Sequence, residues 1–241
     1  MATPAAIVEL RQYTLKTAQR DVLIALFDRH FIEPQEDAGA WVIGQFRDLD
    51  DPDRFVWLRG FPDMPSRAAA LQAFYTGGVW RAHSKAANAT MIDSDNVLLL
   101  RPACPGSGFA AGTRPPAGAG GPERGSLVTV TICAAEPART GELVALFTEQ
   151  LRPALAGSGA EVVAVYVTEA SPNTFPALPV REGENVLVWF ARFPDRAAYQ
   201  AHTDALERSP RWRELAEELR ARLSAPPETL RLAPTARSEL A

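Results

Sequence analysis

The sequence predicts an α+β fold made of two similar β-α-β-β-α-β units that pack sheet to sheet. Residues 55–63, Phe-Val-Trp-Leu-Arg-Gly-Phe-Pro-Asp, return 132 positions later as residues 187–195, Leu-Val-Trp-Phe-Ala-Arg-Phe-Pro-Asp. Within the first copy, alternating and helical apolar patterns follow one another in a definite order. A stretch rich in glycine and proline, residues 103–125, separates the copies. These observations indicate a tandem duplication within one chain.

The elements of the first copy follow from its apolar periodicity and its turn residues. Alternation with a period of two indicates a strand, and apolar spacing of three and four residues indicates a helix. Pro34 and Gly39 are expected to end the first helix, and Gly77 and Gly78 to interrupt the second helical region. In chain order we expect a strand at 7–15, a helix at 22–31, strands at 41–48 and 55–61, a helical region at 63–88 and a strand at 97–101.

This order describes a ferredoxin-like unit, in which helices cover one face of an antiparallel sheet. The other face needs a cover, which the sheet of the second copy can provide. We therefore predict an intrachain barrel of two sheets, with a first domain at 6–102, a linker at 103–125 and a second, degenerate domain at 126–233. Near the start of the copies the offset is 120, so the second copy contains a 12-residue insertion, which we place in the proline-rich run 171–184.

Three segments of the first copy resemble a known family. Residues 8–15 read Val-Glu-Leu-Arg-Gln-Tyr-Thr-Leu, Trp57 lies in the third strand, and residues 98–102 read Leu-Leu-Leu-Arg-Pro. In these segments the chain is similar to the NIPSNAP family of the dimeric α+β barrel superfamily, and the similarity is weaker in the second copy. The resemblance implies a barrel fold. Similar barrels in that superfamily include cofactor-independent monooxygenases, cyclases of aromatic polyketides and haem-dependent enzymes.

The composition restricts the classes of partner. The chain has 241 residues, of which 46% are hydrophobic, and a net charge of −4 with scattered cationic residues. It can therefore bury two cores, and it lacks the basic patch expected of a protein that binds nucleic acid or an anionic membrane. Its longest wholly apolar runs, such as 162–167, have six residues and are too short to span a bilayer, and its start does not resemble a signal peptide. We expect a cytoplasmic protein with a small-molecule aromatic partner, and pairing of two chains as a homodimer stays open.

The sequence shows no motif for a metal or a nucleotide cofactor. Cys104 and Cys133 are too few for a zinc site or a disulfide framework, and the three histidines lack the paired spacing of metal ligands. No glycine-rich segment has the strand–turn–helix setting of a phosphate-binding loop. We therefore expect no metal and no cofactor, and a haem enzyme with His83 or His202 as axial ligand is an alternative.

Several polar residues of the first copy are replaced in the second, so any polar function is expected in the first half. The pairs are Glu9 with Thr129, Arg11 with Thr131, Tyr13 with Cys133, Arg59 with Ala191, Tyr75 with Glu207, His83 with Leu215 and Asn88 with Arg220. Glu9, Arg11 and Tyr13 alternate along one strand and share one face. Two interpretations stay open for them: a structural ion pair in the contact between the sheets, capped by Tyr13, or a set of ligand-facing groups.

His83 is the candidate general base of the first half. It lies three residues after Trp80 on a predicted helix, on the face expected to point toward the sheet, and a histidine exchanges protons near neutral pH. The alternative is a half-buried histidine with a structural role. Tyr75 and Asn88 could donate hydrogen bonds to a substrate oxygen. His202 is expected to be exposed.

We interpret the chain as a small-molecule enzyme of natural-product biosynthesis. By resemblance to the superfamily, the most concrete hypothesis is a cofactor-independent oxygenase of a phenolic or quinol polycycle, such as an aromatic polyketide. The substrate anion would reduce dioxygen, so the protein needs to deprotonate the substrate, exclude water and stabilise the oxyanion. A polyketide cyclase and a non-catalytic ligand-binding scaffold are the alternatives. The expected catalytic residues are His83, Tyr75, Asn88 and Arg11, and the expected substrate-binding residues are Trp41, Trp57, Trp80, Glu9, Tyr13 and Arg59.

Overall fold

The computed structural model describes residues 5–116 and 125–241 and confirms the predicted α+β class. The strands are β1 (Ile7–Leu15), β2 (Trp41–Asp48), β3 (Arg54–Phe61), β4 (Met91–Pro102), β5 (Leu127–Ala134), β6 (Glu161–Thr168), β7 (Val186–Phe193) and β8 (Glu228–Pro234). The helices are α1 (Arg20–His30), α2 (Ile32–Asp37), α3 (Met64–Tyr75), α4 (Gly78–Thr90), α5 (Thr140–Leu146), α6 (Arg152–Gly157), α7 (Arg196–Arg208) and α8 (Pro210–Arg220). A π-helical turn, Phe147–Leu151, joins α5 to α6. Within the described ranges, no helix is long and apolar enough to cross a membrane.

The eight strands form one closed antiparallel barrel. Its order is β1-β3-β2-β8-β5-β7-β6-β4, so each half contributes four adjacent strands. Hydrogen bonds between β2 and β8, and between β4 and β6, join the two halves. The inner faces of both halves meet in a shared apolar core. The prediction of two separate packed sheets is thus corrected: the sheets face each other, but their edges also pair, because an unpaired edge would leave its backbone groups without partners.

The second half repeats the pairings of the first at the offsets seen in the sequence. Ile7 pairs with Phe61 and Leu127 with Phe193, which reproduces the offsets of 120 and 132. Each half also has a β-bulge at the equivalent point of its second strand. The connection between β6 and β7 has 17 residues where that between β2 and β3 has five. We call this connection, residues 169–185, the insertion, and it contains the predicted run.

Both halves start the helix after their third strand with the same cap. The side chain of Asp63 accepts a hydrogen bond from the backbone N–H of Ser66 at 2.6 Å, and that of Asp195 accepts one from Ala198 at 2.7 Å. Aspartate is favoured at this position because its carboxylate satisfies an amide that has no partner in the first helical turn. The repeated Phe-Pro-Asp segment therefore determines where α3 and α7 begin.

The helices of the first half differ from the prediction at one point. Pro34 does not end the first helical region, because it lies in the first turn of α2, where its missing N–H needs no helical partner. The chain turns at Gly39 instead, whose φ of 99° is favourable for glycine. The predicted interruption at Gly77 and Gly78 is confirmed, since α3 ends at Tyr75.

The structure describes only part of the predicted linker. Within residues 103–116, Phe109 packs in the barrel core, with ring centroids 5.3 Å from Tyr166 and 4.8 Å from Phe190. Residues 117–124 lie outside the described residues. The limits of the linker and of the two domains stay predictions.

Candidate functional site

The polar residues of β1 lie on the outer face of the first half of the barrel. Val8 and Leu10 point into the barrel core, whereas Glu9, Arg11 and Tyr13 point toward the helices. This follows from the alternation of side chains along a strand. The three residues share one face as predicted. The predicted ion pair of Glu9 with Arg11, and its contact with Tyr13, are present, but they lie on the outer face of the barrel and not between the sheets.

Glu9 is the centre of a buried group of three guanidiniums. Its Oε2 accepts hydrogen bonds from Arg11 Nη1 and Arg59 Nε, both at 2.7 Å, and its Oε1 accepts one from Arg67 Nε at 2.6 Å. Each of these four side chains is at most 1% exposed. Arg11 Nε also donates to the Tyr13 hydroxyl at 3.0 Å. We call Glu9, Arg11, Arg59 and Arg67 the arginine cluster.

The cluster contains two more positive charges than negative ones. Burial would raise the pKa of Glu9, but Arg59, Arg11 and Arg67 outweigh it and hold that pKa well below its usual range. Burial lowers the pKa of Arg67, yet an arginine stays charged at neutral pH because its ordinary value is so high. Burial raises the pKa of Tyr13, so its phenol is neutral at pH 7. One carboxylate therefore faces three cations.

Two residues of this arrangement were missed in the sequence. Arg67 lies on α3 and is fully buried, which is rare for an arginine unless it is paired. Its counterpart at the offset of 132 is Tyr199, so the comparison that identified Arg59 also contained the signal for Arg67. Gln35 on α2 accepts a hydrogen bond from Arg59 Nη1 at 3.0 Å, and no sequence pattern links it to β1.

The insertion of the second half covers the cluster of the first half. Asn173 Oδ1 and Thr174 Oγ1 accept hydrogen bonds from Arg67 Nη1 at 3.0 and 3.1 Å. Phe175 stacks on Tyr75, with the ring centroids 5.9 Å apart. The two halves are therefore in direct contact at this site.

Aromatic side chains surround the cluster, but the space that they enclose is small. The Arg59 guanidinium lies 5.0 Å from the centre of the Trp57 ring and 5.9 Å from that of Tyr75, distances typical of cation–π contacts. The adjoining cavity measures about 30 Å³, which holds roughly two water-sized groups, so a polycyclic substrate does not fit. Its lining includes Tyr13, Gln35, Trp57, Phe74, Tyr75 and Trp80.

Three of the predicted site residues lie elsewhere. His83 stacks on His30 with the ring centroids 3.8 Å apart, where α1 contacts α4, and it does not line the cavity. It is half-buried because it lies at the edge of the buried face of α4, not at its centre. Asn88 is exposed on α4, and Trp41 Nε1 donates to Glu239 Oε2 at 2.9 Å. The structure thus separates these three from the other predicted site residues, which it brings together.

The equivalent space of the second half is a larger cavity of about 270 Å³. Thr129, Thr131 and Ala191 line it at positions where the first half has members of the arginine cluster. Small side chains therefore leave open a volume that is filled in the first half. A groove of about 570 Å³ at α7 and α8 shares five lining residues with the cavity and offers a path from solvent. The rings that line the cavity are Trp189, Tyr199, His202 and Trp212.

Another groove, of about 650 Å³, lies under the insertion where β4 meets β6. Charged loop side chains are prominent in it, and its described lining contains no aromatic ring and no histidine. It is therefore less suited to a flat apolar molecule than the second-half cavity.

His202 is the titratable ring of the second-half cavity, and its burial corrects the prediction of an exposed side chain. It is only 6% exposed. Its Nδ1 lies 2.9 Å from Ser158 Oγ, which in turn lies within hydrogen-bond distance of the carbonyls of Ala154 and Leu155. With Ser158 donating to a carbonyl, Nδ1 carries the proton and donates to Oγ, so Nε2 is left as an acceptor. Burial lowers the pKa of His202 from its ordinary value of 6.5, so the neutral ring predominates at pH 7.

Side chains that could hold a metal ion are not grouped in the described part of the chain. No three histidines, cysteines, aspartates or glutamates come together there. Cys104 is exposed and Cys133 is buried, and burial raises the pKa of the Cys133 thiol to about 12. Cys133 is therefore a neutral core residue at pH 7.

Comparisons with known proteins give the fold of the whole chain and a family match for its first half. A candidate monooxygenase from Lactobacillus acidophilus superposes with a TM-score of 0.59 at 13% identity, over 97% of this chain and 94% of that one. A candidate monooxygenase from Fusobacterium nucleatum gives 0.61 at 9% identity, also over 97% and 94%. An anthrone oxidase-like protein gives 0.60 at 12% identity, over 95% and 91%. At these identities the likeness shows the fold alone.

Comparisons of the amino-acid sequence match only part of the chain. A comparison with curated protein sequences gives no match. The NIPSNAP family model matches residues 8–105, which include the segments that carry the resemblance. The NIPSNAP resemblance seen in the sequence is therefore confirmed for residues 8–105, the first of the two halves.

Proposed function

We propose that the protein is a small-molecule oxygenase of the monooxygenase type, with its reaction site in the second-half cavity. The observation that carries the proposal is the combination of a cavity of about 270 Å³ with a buried neutral histidine whose Nε2 can accept a proton. This volume is near the lower limit for small-molecule sites, roughly 300 Å³, and the groove at α7 and α8 extends it. The aromatic lining suits a flat and largely apolar substrate.

The names of the similar structures support this reaction class. Two are candidate monooxygenases and one is an anthrone oxidase-like protein, and each match covers more than nine tenths of both chains. An anthrone has an activated methylene group between two aromatic rings and becomes an electron-rich anion when it loses a proton. We infer a substrate of this kind, a phenolic or quinol polycycle.

The proposed reaction balances without an external reductant. His202 Nε2 takes a proton from the substrate, and the resulting anion transfers electrons to dioxygen and forms a carbon–oxygen bond, giving a hydroperoxide. The proton of this hydroperoxide is the one that His202 returns. Cleavage of the O–O bond and loss of the second proton of the same carbon to His202 leave a carbonyl, and His202 passes that proton to the departing hydroxide, which becomes water. A methylene group and dioxygen thus become a carbonyl and water, with four electrons moving from carbon to oxygen. Thr129 lines the cavity, and its hydroxyl is the candidate donor of a hydrogen bond to the developing oxyanion.

We also infer that the two halves are ferredoxin-like copies of one unit whose roles have separated. Both halves have the same strand order and the same register, which supports a common origin. In the first half the arginine cluster fills the space between sheet and helices, and a non-catalytic binding role is favoured by the remaining cavity of about 30 Å³. A catalytic first half with His83 as base is the alternative from the sequence, and it requires a cavity beside His83.

Oxygen uptake by single-residue variants tests the proposal. With an anthrone or another phenolic polycycle as substrate, the purified protein should consume one dioxygen for each ketone formed. His202→Gln should lower kcat by at least about 100-fold, the lower end of general-base contributions, because glutamine cannot accept the proton. His83→Ala is the matched control and should leave kcat unchanged. Thermal unfolding of both variants establishes that they are folded.

The pH profile and the products give further readouts. Because burial lowers the pKa of His202 from 6.5, kcat/KM should fall only below pH 6.5, as the ring becomes protonated. If His83→Ala lost activity and His202→Gln kept full activity, the reaction site would lie in the first half. Conversion of a substrate without oxygen uptake would favour a polyketide cyclase, which needs the same cavity and base. Binding of polycycles without any conversion would favour a scaffold.

A further inference from the structure

The arginine cluster has more positive charge than its protein partners neutralise. Three guanidiniums surround the single carboxylate of Glu9 at 2.6 to 2.7 Å, and no other carboxylate of the described residues forms an ion pair with them. A buried charge is strongly unfavourable unless it is paired and hydrogen-bonded. Three positive charges therefore share one carboxylate, and a net charge of two positive units is left uncompensated in the described protein.

Three buried donors of this region have no acceptor among the described residues. They are Nη2 of Arg59, Nη2 of Arg67 and Nε1 of Trp57. Arg59 and Arg67 bind the same carboxylate, and the Arg59 guanidinium lies 5.0 Å from the centre of the Trp57 ring, so Arg59 lies next to both other side chains. A buried donor without an acceptor costs about 1–3 kcal/mol. Three such donors beside an excess of positive charge indicate a site for an anion with several acceptor oxygens.

We propose that the arginine cluster binds a small carboxylate ligand next to the first-half cavity. A planar carboxylate matches the fork of guanidinium N–H groups, which bind it through two parallel hydrogen bonds. The cavity of about 30 Å³ limits the rest of the ligand to a small substituent. Tyr13 accepts its hydrogen bond from Arg11, so the hydroxyl proton of Tyr13 is free to donate to the ligand. The site lies in the other half of the barrel from His202, so this inference does not depend on the proposed oxidation.

The insertion completes this site from the other half of the chain. Asn173 and Thr174 hold Nη1 of Arg67, which fixes the orientation of a guanidinium whose Nη2 has no acceptor among the described residues. Phe175 covers Tyr75, which lines the cavity. Affinity for the carboxylate should therefore depend on residues of both halves.

Acetate is the probe that tests the proposal, with the indole N–H of Trp57 as the readout. In protein labelled with ¹⁵N-tryptophan, Trp57→Phe assigns the resonance. On addition of acetate to the wild-type protein, the Trp57 resonance should shift saturably, because its Nε1 has no acceptor among the described residues. The resonances of Trp189 and Trp212, which line the second-half cavity, should not move.

Arg67→Gln should raise the Kd for acetate at least about tenfold, because it removes one guanidinium and one unpartnered donor. Arg152→Gln, an exposed arginine on α6, is the matched control and should leave the Kd unchanged. If Arg67→Gln does not fold, the acetate titration of the wild-type protein alone tests the proposal. An unmoved Trp57 resonance would overturn the proposal. An equal response to chloride or inorganic phosphate at the same ionic strength would overturn the assignment of a carboxylate.

Discussion

Replacement of Glu9 by glutamine should destabilise the protein far more than removal of a surface carboxylate. The carboxylate accepts three charge-assisted hydrogen bonds from guanidiniums that are at most 1% exposed. Glutamine keeps the size of the side chain and one carbonyl oxygen, but it has no negative charge. Three buried cations would then lie close together without compensation.

The magnitude follows from the number of partners. Breaking a buried ion pair by removing one partner costs about 3–5 kcal/mol. Here one carboxylate serves three cations, so we expect Glu9→Gln to lower the free energy of unfolding by at least about 3 kcal/mol. The control is Glu161→Gln, which removes the partner of Arg192 where the two side chains are 60% and 39% exposed. A surface pair of this kind contributes about 0–1 kcal/mol.

Urea unfolding measures the free energy of unfolding of both variants. The pH dependence of that free energy identifies Glu9 as the group responsible. The folded-state pKa of Glu9 is held below its ordinary value of 4.5. The stabilisation is therefore complete above pH 4.5 and is lost as the pH falls toward the folded-state pKa, because the unfolded chain binds the proton first. One such proton gives a slope of up to about 1.4 kcal/mol per pH unit, which Glu9→Gln should lack. The reasoning would be refuted if Glu9→Gln lost less than about 1 kcal/mol at pH 7. It would also be refuted if the free energy of unfolding fell with the same slope below pH 4.5 in Glu9→Gln as in the wild-type protein.

Two further predictions concern the packing of the halves. Leu215 is buried in the core of the second half, so Leu215→Ala should lower the free energy of unfolding by about 2–5 kcal/mol in urea titrations. The exposed Val22→Ala is its control, expected within about 0.5 kcal/mol of wild type, and equal losses would show that Leu215 is not a core residue. Proteolytic cleavage within residues 103–125 should leave the halves associated in size-exclusion chromatography, because the β2–β8 and β4–β6 pairings and the shared barrel core hold them together. Separation into two half-size species would contradict this.

The repeat is the reason that the order of the elements could be predicted. A duplicated chain shows the same strand and helix pattern twice, and the change of offset from 120 to 132 locates the insertion. The pairing of β2 with β8 and of β4 with β6 could not be predicted in this way. Alternation shows which face of a strand is buried, whereas a pairing of edges uses backbone groups that every residue carries.

The candidate sites were predictable only where one element alone determines which side chains meet. Glu9, Arg11 and Tyr13 are neighbours because they alternate on one strand, and the structure joins them. His83 depends on how α4 is rotated against the sheet, and a helix spacing does not determine this rotation for a residue at the edge of the buried face. His202 was expected to be exposed because its counterpart in the first half is a small alanine and gave no sign of a cavity.

The second half has few of the polar residues of the first, and the sequence for this reason predicted that any polar function lies in the first half. A reaction site between sheet and helices also needs volume, and small side chains create it. Thr129, Thr131 and Ala191 bring no charge to the space between sheet and helices, and that space measures about 270 Å³ where the first half has about 30 Å³. The small side chains at these three positions therefore leave the volume that the proposed reaction requires. The two halves thus differ in what occupies the space between sheet and helices. In the first half, charged side chains fill it, and in the second half a cavity remains beside the neutral ring of His202.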